Sequence, residues 1–174
     1  TNADLFVAKF NSTTGAVASG FGTHNGVAVY GFDYAANGSD GPNAALLTYP
    51  ASPTGAYRLY VAGDTQTSAG WDAFVIALNP STGAYDTAFH NGPVIVHVDD
   101  SVDPVEVNSI TTMTELHDGH LLLAGYGRDA NLHYRLLLAK LDASGGGKDA
   151  TFCGGGWCLN SLTVGSGLAS FPLS

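Results

Sequence analysis

Six histidines stand at positions 24, 90, 97, 117, 120 and 133, and two of them frame the tetrapeptide His117-Asp118-Gly119-His120. Imidazole nitrogens are zinc ligands, but a zinc site needs three or four donors. Two histidines on either side of a hairpin turn point apart, and no third ligand is spaced to join them. The only two cysteines, Cys153 and Cys158, enclose "GGGW". Its glycines bend freely enough to bring two Cβ atoms within disulfide distance. A local disulfide is the first reading; the other is a metal pair, which two thiolates alone would leave half built. Closing so small a loop adds about 2 kcal/mol in the chain-entropy treatment, and such a bond points to an oxidising compartment. Thr1 could act as an N-terminal nucleophile, but nothing nearby supplies the base it would need, so a processed terminus is the simpler reading. There is no G-x-S-x-G, no H-E-x-x-H and no phosphate-binding loop; Gly145 to Gly147 follow a turn rather than a strand entering a helix.

Two acidic stretches offer different chemistry. "DYAANGSDGPN" runs from Asp33 to Asn43 and "DDSVDPVEVN" from Asp99 to Asn108. Asp33, Asn37 and Asp40 in the one, and Asp99, Asp100 and Asp103 in the other, combine carboxylates, an amide and backbone carbonyls in loops, the oxygen-rich environment that calcium selects. The alternative is a solvated, self-repelling loop that keeps a sheet edge from pairing. If a cation binds, these are its expected ligands; no other cofactor is implied.

Both stretches occupy the same place in an internal repeat. "DLFVAKFNSTTGAVASGF", residues 4 to 21, returns as "DAFVIALNPSTGAYDTAF", residues 72 to 89, at an offset of 68. A third copy, "LLAKLDASGGGKDATF", follows at an offset of 63 and sets Leu137 under Phe74, Asp142 under Asn79, Gly146 under Gly83 and Phe152 under Phe89. A fixed period of this length marks a repeat architecture. Each unit reads as four short strands: one after an Asn ("NAALLTYP", "NSITTMTEL"), an apolar one ("YRLYVAGD", "HLLLAGYG"), the quoted strand, and a last one ("VAVYGF", "PVIVHV"). In the quoted strand Phe74, Ile76 and Leu78 alternate with Ala73, Val75 and Ala77, so both faces are apolar and the strand must lie between stacked sheets. Asn11, Asn79 and Asp142 each precede a Gly by four residues, a spacing at which the side-chain oxygen caps a turn and the Gly takes positive φ. No stretch carries a helical period, so the chain is all-β.

The chain has 174 residues, one unit's worth of core, with 6 Lys and Arg against 15 Asp and Glu and a net charge of −9. That charge repels phosphate backbones and argues against nucleic acid as a partner. No run approaches the roughly 18 apolar residues of a membrane span, so no membrane insertion is expected. Abundant Gly, scarce Lys and the cysteine pair suit an extracellular, cell-surface or periplasmic protein.

The alternation of D-x-x-V/I-A-x-L/F-N/D, G-A-x-D/A-x-x-F-G-x-x-x-G-V and D-G-x-L/I-L-x-A-G-Y resembles the delta-60 repeat of large bacterial surface and secreted proteins, over Asp4 to about Leu162. The resemblance implies tandem four-stranded, β-propeller-like units. Two departures stand out: Ala18 where the second copy has Asp86, and "FCGGGWC" in the third copy. Residues 4–32 read as the second half of a unit, 43–98 and 107–159 as full units, and 160–174 as the first half of another. The two ends are then expected to complete one unit, with the segment after Asn160 paired to Asp4–Phe10 so that no free edge remains. Three units could wrap into a compact body, associate as a homo-oligomer, or continue as further repeats of a longer array.

Two functions fit. One is a non-catalytic binding or structural module whose loops face a carbohydrate or protein partner, with Trp71 and Tyr134 at the same repeat position as candidate ligand platforms; the same rings could instead serve only as packing. The other is a secreted hydrolase-type enzyme with a site assembled from several repeats. The first is preferred, because no nucleophile, base and orienter can be named together.

Overall fold

A computed structural model describes residues 3–49, 57–96, 107–128, 134–142, 144, 146–152 and 157–161. Every named element among them is a strand: β1 (Leu5–Ala8), β2 (Val27–Tyr30), β3 (Asp40–Thr48), β4 (Arg58–Thr67), β5 (Gly70–Leu78), β6 (Val94–Val96), β7 (Val107–Glu115), β8 (His120–Arg128), β9 (Tyr134–Asp142) and β10 (Trp157–Ser161). The all-β expectation holds. Runs such as "FVIAL" and "HLLLAG" supply the branched and aromatic side chains that pack well on a pleated surface.

Among the described residues β1 pairs with β2 alone. β3, β4, β5 and β6 form an antiparallel meander, as do β7, β8, β9 and β10. Among the described residues the two meanders meet in backbone register at a single parallel pair, Trp71 opposite Val107, and the strands do not close into a barrel.

Packing between these layers is built on β5, whose residues Ala73 to Leu78 are all completely buried. Phe74, Ile76 and Leu78 join Leu5, Phe21, Ala28 and Tyr30 in one core between the middle meander and the β1–β2 pair. Ala73, Val75 and Ala77 face the other way, into a core with Ile110, Leu121, Leu123, Leu137 and Leu141 of the last meander. The strand thus lies between stacked sheets, as its two-faced pattern requires. Each large side chain buried this way contributes about 1.5–3 kcal/mol.

The turn after each long strand has one geometry at the three matched positions. Gly15, Gly83 and Gly146 hold φ of 69°, 73° and 64°. Their amides donate to the carbonyls of Asn11, Asn79 and Asp142 at 2.8 Å. The side-chain oxygens of those three residues accept from Thr13, Ser81 and Ser144 amides at 2.9, 2.8 and 2.8 Å. Isolated bridges follow at Phe10–Val17, Leu78–Tyr85 and Leu141–Lys148. Two of the glycines also carry a neighbour: the Phe21 ring lies against Gly83 and the Phe89 ring against Gly146, where a Cβ would be crowded, whereas Gly15 faces open space. The Tyr30 hydroxyl completes the first of these contacts by donating to the Gly83 carbonyl. Burial, with the Tyr85 hydroxyl second, pushes its pKa up to about 12.

Two boundaries differ from the sequence reading. β3 starts at Asp40, not Asn43, because a bulge between Pro42 and Ala44 inserts one residue opposite Gly63. The equivalent bulge in β7 falls between Ile110 and Thr112, opposite Gly125, so Asp40 corresponds to Asn108 and the acidic link ends earlier than expected. At the C-terminal end, Asn160 and Ser161 pair with Leu136 and Arg135 of β9 and close the last meander; residues 162–174, on which the expected pairing with β1 rests, lie outside the described residues.

At the bulges a Cβ on Gly63 would collide with the Gly41 carbonyl and one on Gly125 with the Ser109 carbonyl. Gly63→Ala and Gly125→Ala are each expected to destabilise the fold by about 1–3 kcal/mol, the usual cost of overpacking, measured by chemical denaturation. A change below half a kilocalorie, roughly the scatter of surface substitutions, would contradict this close strand approach.

Candidate functional site

Trp71 and Tyr134, chosen from sequence as candidate platforms, lie on one cleft. Trp71 is the second residue of β5 and Tyr134 the first of β9, so both stand where a strand leaves its loop. The cleft, of about 340 Å³, opens where the two meanders meet and is lined by Asp64, Trp71, Val107, Tyr126 and Tyr134. Tyr126 and Tyr134 meet edge to face, with ring centroids 5.6 Å apart and planes at 66°. Trp71 is half-buried, while Tyr134 and Tyr126 are 54% and 37% exposed, leaving aromatic surface available to a ligand. Aromatic rings present an apolar face together with a polar edge or hydroxyl, the combination that suits a partner with both apolar and hydroxylated surface.

Asp64 is the polar element of the cleft. Its Oδ2 accepts from Ser109 Oγ at 2.7 Å and from Asn43 Nδ2 at 3.0 Å, and Asn43 Nδ2 also reaches Ser109 Oγ at 2.9 Å. One carboxylate thereby ties β3, β4 and β7 together across the meander boundary. The buried Ser109 hydroxyl thus holds the Asp64 carboxylate in place, and Asp64 is the acceptor that lines the cleft. Glycosidic cleavage ordinarily uses two facing carboxylates; among the described lining residues there is one. Sequence reasoning missed Asp64 and Tyr126, although a signal was present: each directly follows an Ala-Gly pair, Ala62-Gly63 and Ala124-Gly125.

The first acidic link is tied up in local structure. Asp33 and Asn37 adopt left-handed backbone, with φ of 49° and 60°, a conformation Asp and Asn tolerate better than most residues. Asp40 is buried; its carboxylate accepts from Thr65 Oγ1 at 2.5 Å and from the Phe32 amide at 2.9 Å, joining β3, β4 and the end of β2. Among the described residues no three His, Cys, Asp or Glu side chains come together to hold a metal. Asp99, Asp100 and Asp103 lie outside the described residues, as do Cys153 and the side chain of Cys158.

The tetrapeptide from His117 to His120 is a hairpin turn, with Gly119 at φ 81° and the Leu116 amide donating to the His120 carbonyl at 2.8 Å. His120 is drawn into an ion cluster. Lys140 Nζ lies 2.9 Å from Asp118 Oδ2 and 3.0 Å from Asp149 Oδ2. His120 Nδ1 is 3.1 Å from Asp118 Oδ1 without hydrogen-bond alignment. The Lys140 hydrogen bond, followed by the His120 backbone amide, holds Asp118 at about 2. Asp149 is also lowered, first by the Thr151 hydroxyl and then by Lys140.

Compared with protein-family models, with curated proteins and with solved structures, the chain matches none of them.

Asp118 and Asp149 titrate lower in the folded chain than in the unfolded one, so the stability they lend is present above the unfolded carboxylate value of about 4 and is lost as pH falls through the folded value. The melting temperature is expected to drop as pH falls from about 4 to about 2, and Lys140→Met is expected to make that drop shallower. A flat profile, or the same slope in the variant, would contradict the cluster's role.

Proposed function

We propose that the chain is a stack of related β units serving as a non-catalytic binding module of a secreted or cell-surface bacterial protein, and that the cleft between its two meanders takes a carbohydrate. The observation that carries this reading is the convergence of Trp71, Tyr126 and Tyr134 on one open cleft around the fixed carboxylate of Asp64. A sugar ring offers apolar C–H faces for the aromatic surfaces and hydroxyl donors for the Asp64 carboxylate. The rings sit on strand ends held by two buried cores, so little ordering entropy is spent when a ligand binds. The sequence resemblance to delta-60 repeats and the acidic surface support an extracellular setting and a propeller-like stacking of units. The recurrent turns, bulges and bridges support descent of the units from one repeat.

The test is a glycan array followed by titration calorimetry on the strongest hits. Trp71→Ala and Tyr134→Ala are each expected to weaken binding at least tenfold, or about 1.4 kcal/mol, with little change in melting temperature, since both side chains stand at the rim rather than in a core. Binding that survives both substitutions would displace the site from this cleft. Release of reducing ends from the bound glycans would replace the binding module by the hydrolase reading.

A further inference from the structure

The two outer faces of the stack are complementary halves of an interface that the chain already uses inside itself, and we propose that they join a second copy of this chain head to tail. Phe6, Phe10, Val17 and Val29 are 65%, 59%, 45% and 45% exposed and share one face of the β1–β2 pair, since Phe6 is opposite Val29 and Phe10 opposite Val17. Their counterparts in the middle meander are Phe74, Leu78, Tyr85 and Ile95, by the matched bridge and strand pairs. All four counterparts pack into the core beside the β1–β2 pair; Phe74 and Leu78 are fully buried there. The same positions are covered in the middle meander and bare in the β1–β2 pair.

The opposite end shows the reverse. In β9, Leu137, Ala139 and Leu141 face the middle meander, so Leu136 and Leu138 point outward by strand alternation. Their counterparts Ala73 and Val75 are fully buried, whereas Leu136 and Leu138 keep partial exposure. Phe152 repeats the theme. Phe21 and Phe89 are buried, each seated over the turn glycine of the following unit, while Phe152 is only half-buried. Gly15, the turn glycine with no Phe above it, lies on the bare face at the other end. A half-buried Phe at one end and a turn glycine with no Phe over it at the other match the two halves of the contact made twice within the chain. An apolar patch of this kind on a chain of net charge −9 marks an interaction surface. A head-to-tail contact of unlike faces then closes into a ring or extends into a chain of copies, as the rotation between copies dictates.

Sedimentation across a concentration series tests this with two single variants, Phe6→Asp on one face and Leu138→Glu on the other. The wild-type chain is expected to exceed its monomer mass of 17.9 kDa as concentration rises. Each variant alone is expected to stay monomeric, with an unchanged circular dichroism spectrum because Phe6 is largely exposed and Leu138 partly so, both outside the two buried cores. An equimolar mixture of the two keeps one intact copy of each face and is expected to form a dimer that grows no further. Three results would overturn the proposal: a wild-type chain that stays monomeric throughout, association unaffected by either variant, or a mixture that fails to dimerise.

Discussion

Everything in this fold depends on burying both faces of β5 at once. A strand that reads Ala-Phe-Val-Ile-Ala-Leu from residue 73 to 78 has no polar side to give to water, so it is stable only with a layer on either side. The β1–β2 pair covers one face with Leu5, Phe21 and Tyr30, and the last meander covers the other with Ile110, Leu121 and Leu137. The bulges opposite Gly63 and Gly125, the capped turns at Asn79 and Asp142, and the Phe rings over Gly83 and Gly146 all serve to bring those layers into contact with the central one. The cleft of Trp71, Tyr126 and Tyr134 is a by-product of that stacking: it forms at the rim where core packing between the meanders ends.

Much of this was legible in the residues because the governing chemistry is local. An Asn or Asp four residues before a Gly caps its own turn whatever surrounds it, and the three turns at residues 11–15, 79–83 and 142–146 formed as read. Strand alternation likewise placed Phe74, Ile76 and Leu78 on one face and Ala73, Val75 and Ala77 on the other. What spacing could not convey was relation across layers. Asp64 and Tyr126 come together through packing of two meanders; the Ala-Gly pair before each marks them as matched positions but does not say that they meet. The bulge at Asn43 was hidden for a related reason: matching Asn43 to Asn108 by residue type is plausible locally, but the strand partner Gly63 accommodates a close carbonyl only when Asp40 and Asn108 are set equivalent. Asp40 consequently reads as a loop carboxylate in the sequence and acts as a buried acceptor in the fold.

The drift between copies also has a physical reading. Ala18 stands where Asp86 and Asp149 stand later. Asp86 pairs with Arg58 Nε at 2.5 Å, a cation on β4. Asp149 pairs with Lys140 at 3.0 Å. The residue of the first copy that matches Lys140 is Lys9, and its Nζ donates to the Pro80 carbonyl of the next unit at 2.8 Å. With Lys9 engaged across the layer boundary, Ala18 stands where the later matched positions hold a carboxylate.

The joints between layers are made almost entirely of side chains. Among the described residues the β1–β2 pair is tied to the middle meander by the Asp40 amide on the Ala3 carbonyl at 2.7 Å and the Gly22 amide on the Thr82 carbonyl at 2.8 Å, while the meanders share one backbone pair, Trp71 with Val107. Within each meander, by contrast, continuous ladders run along whole strands. Under mechanical tension applied along the chain, such a body yields at its joints before its ladders. The layers come away singly, as intact sheets, and each separation releases a defined length of chain, so the assembly behaves as a series of clasps rather than as a single knot.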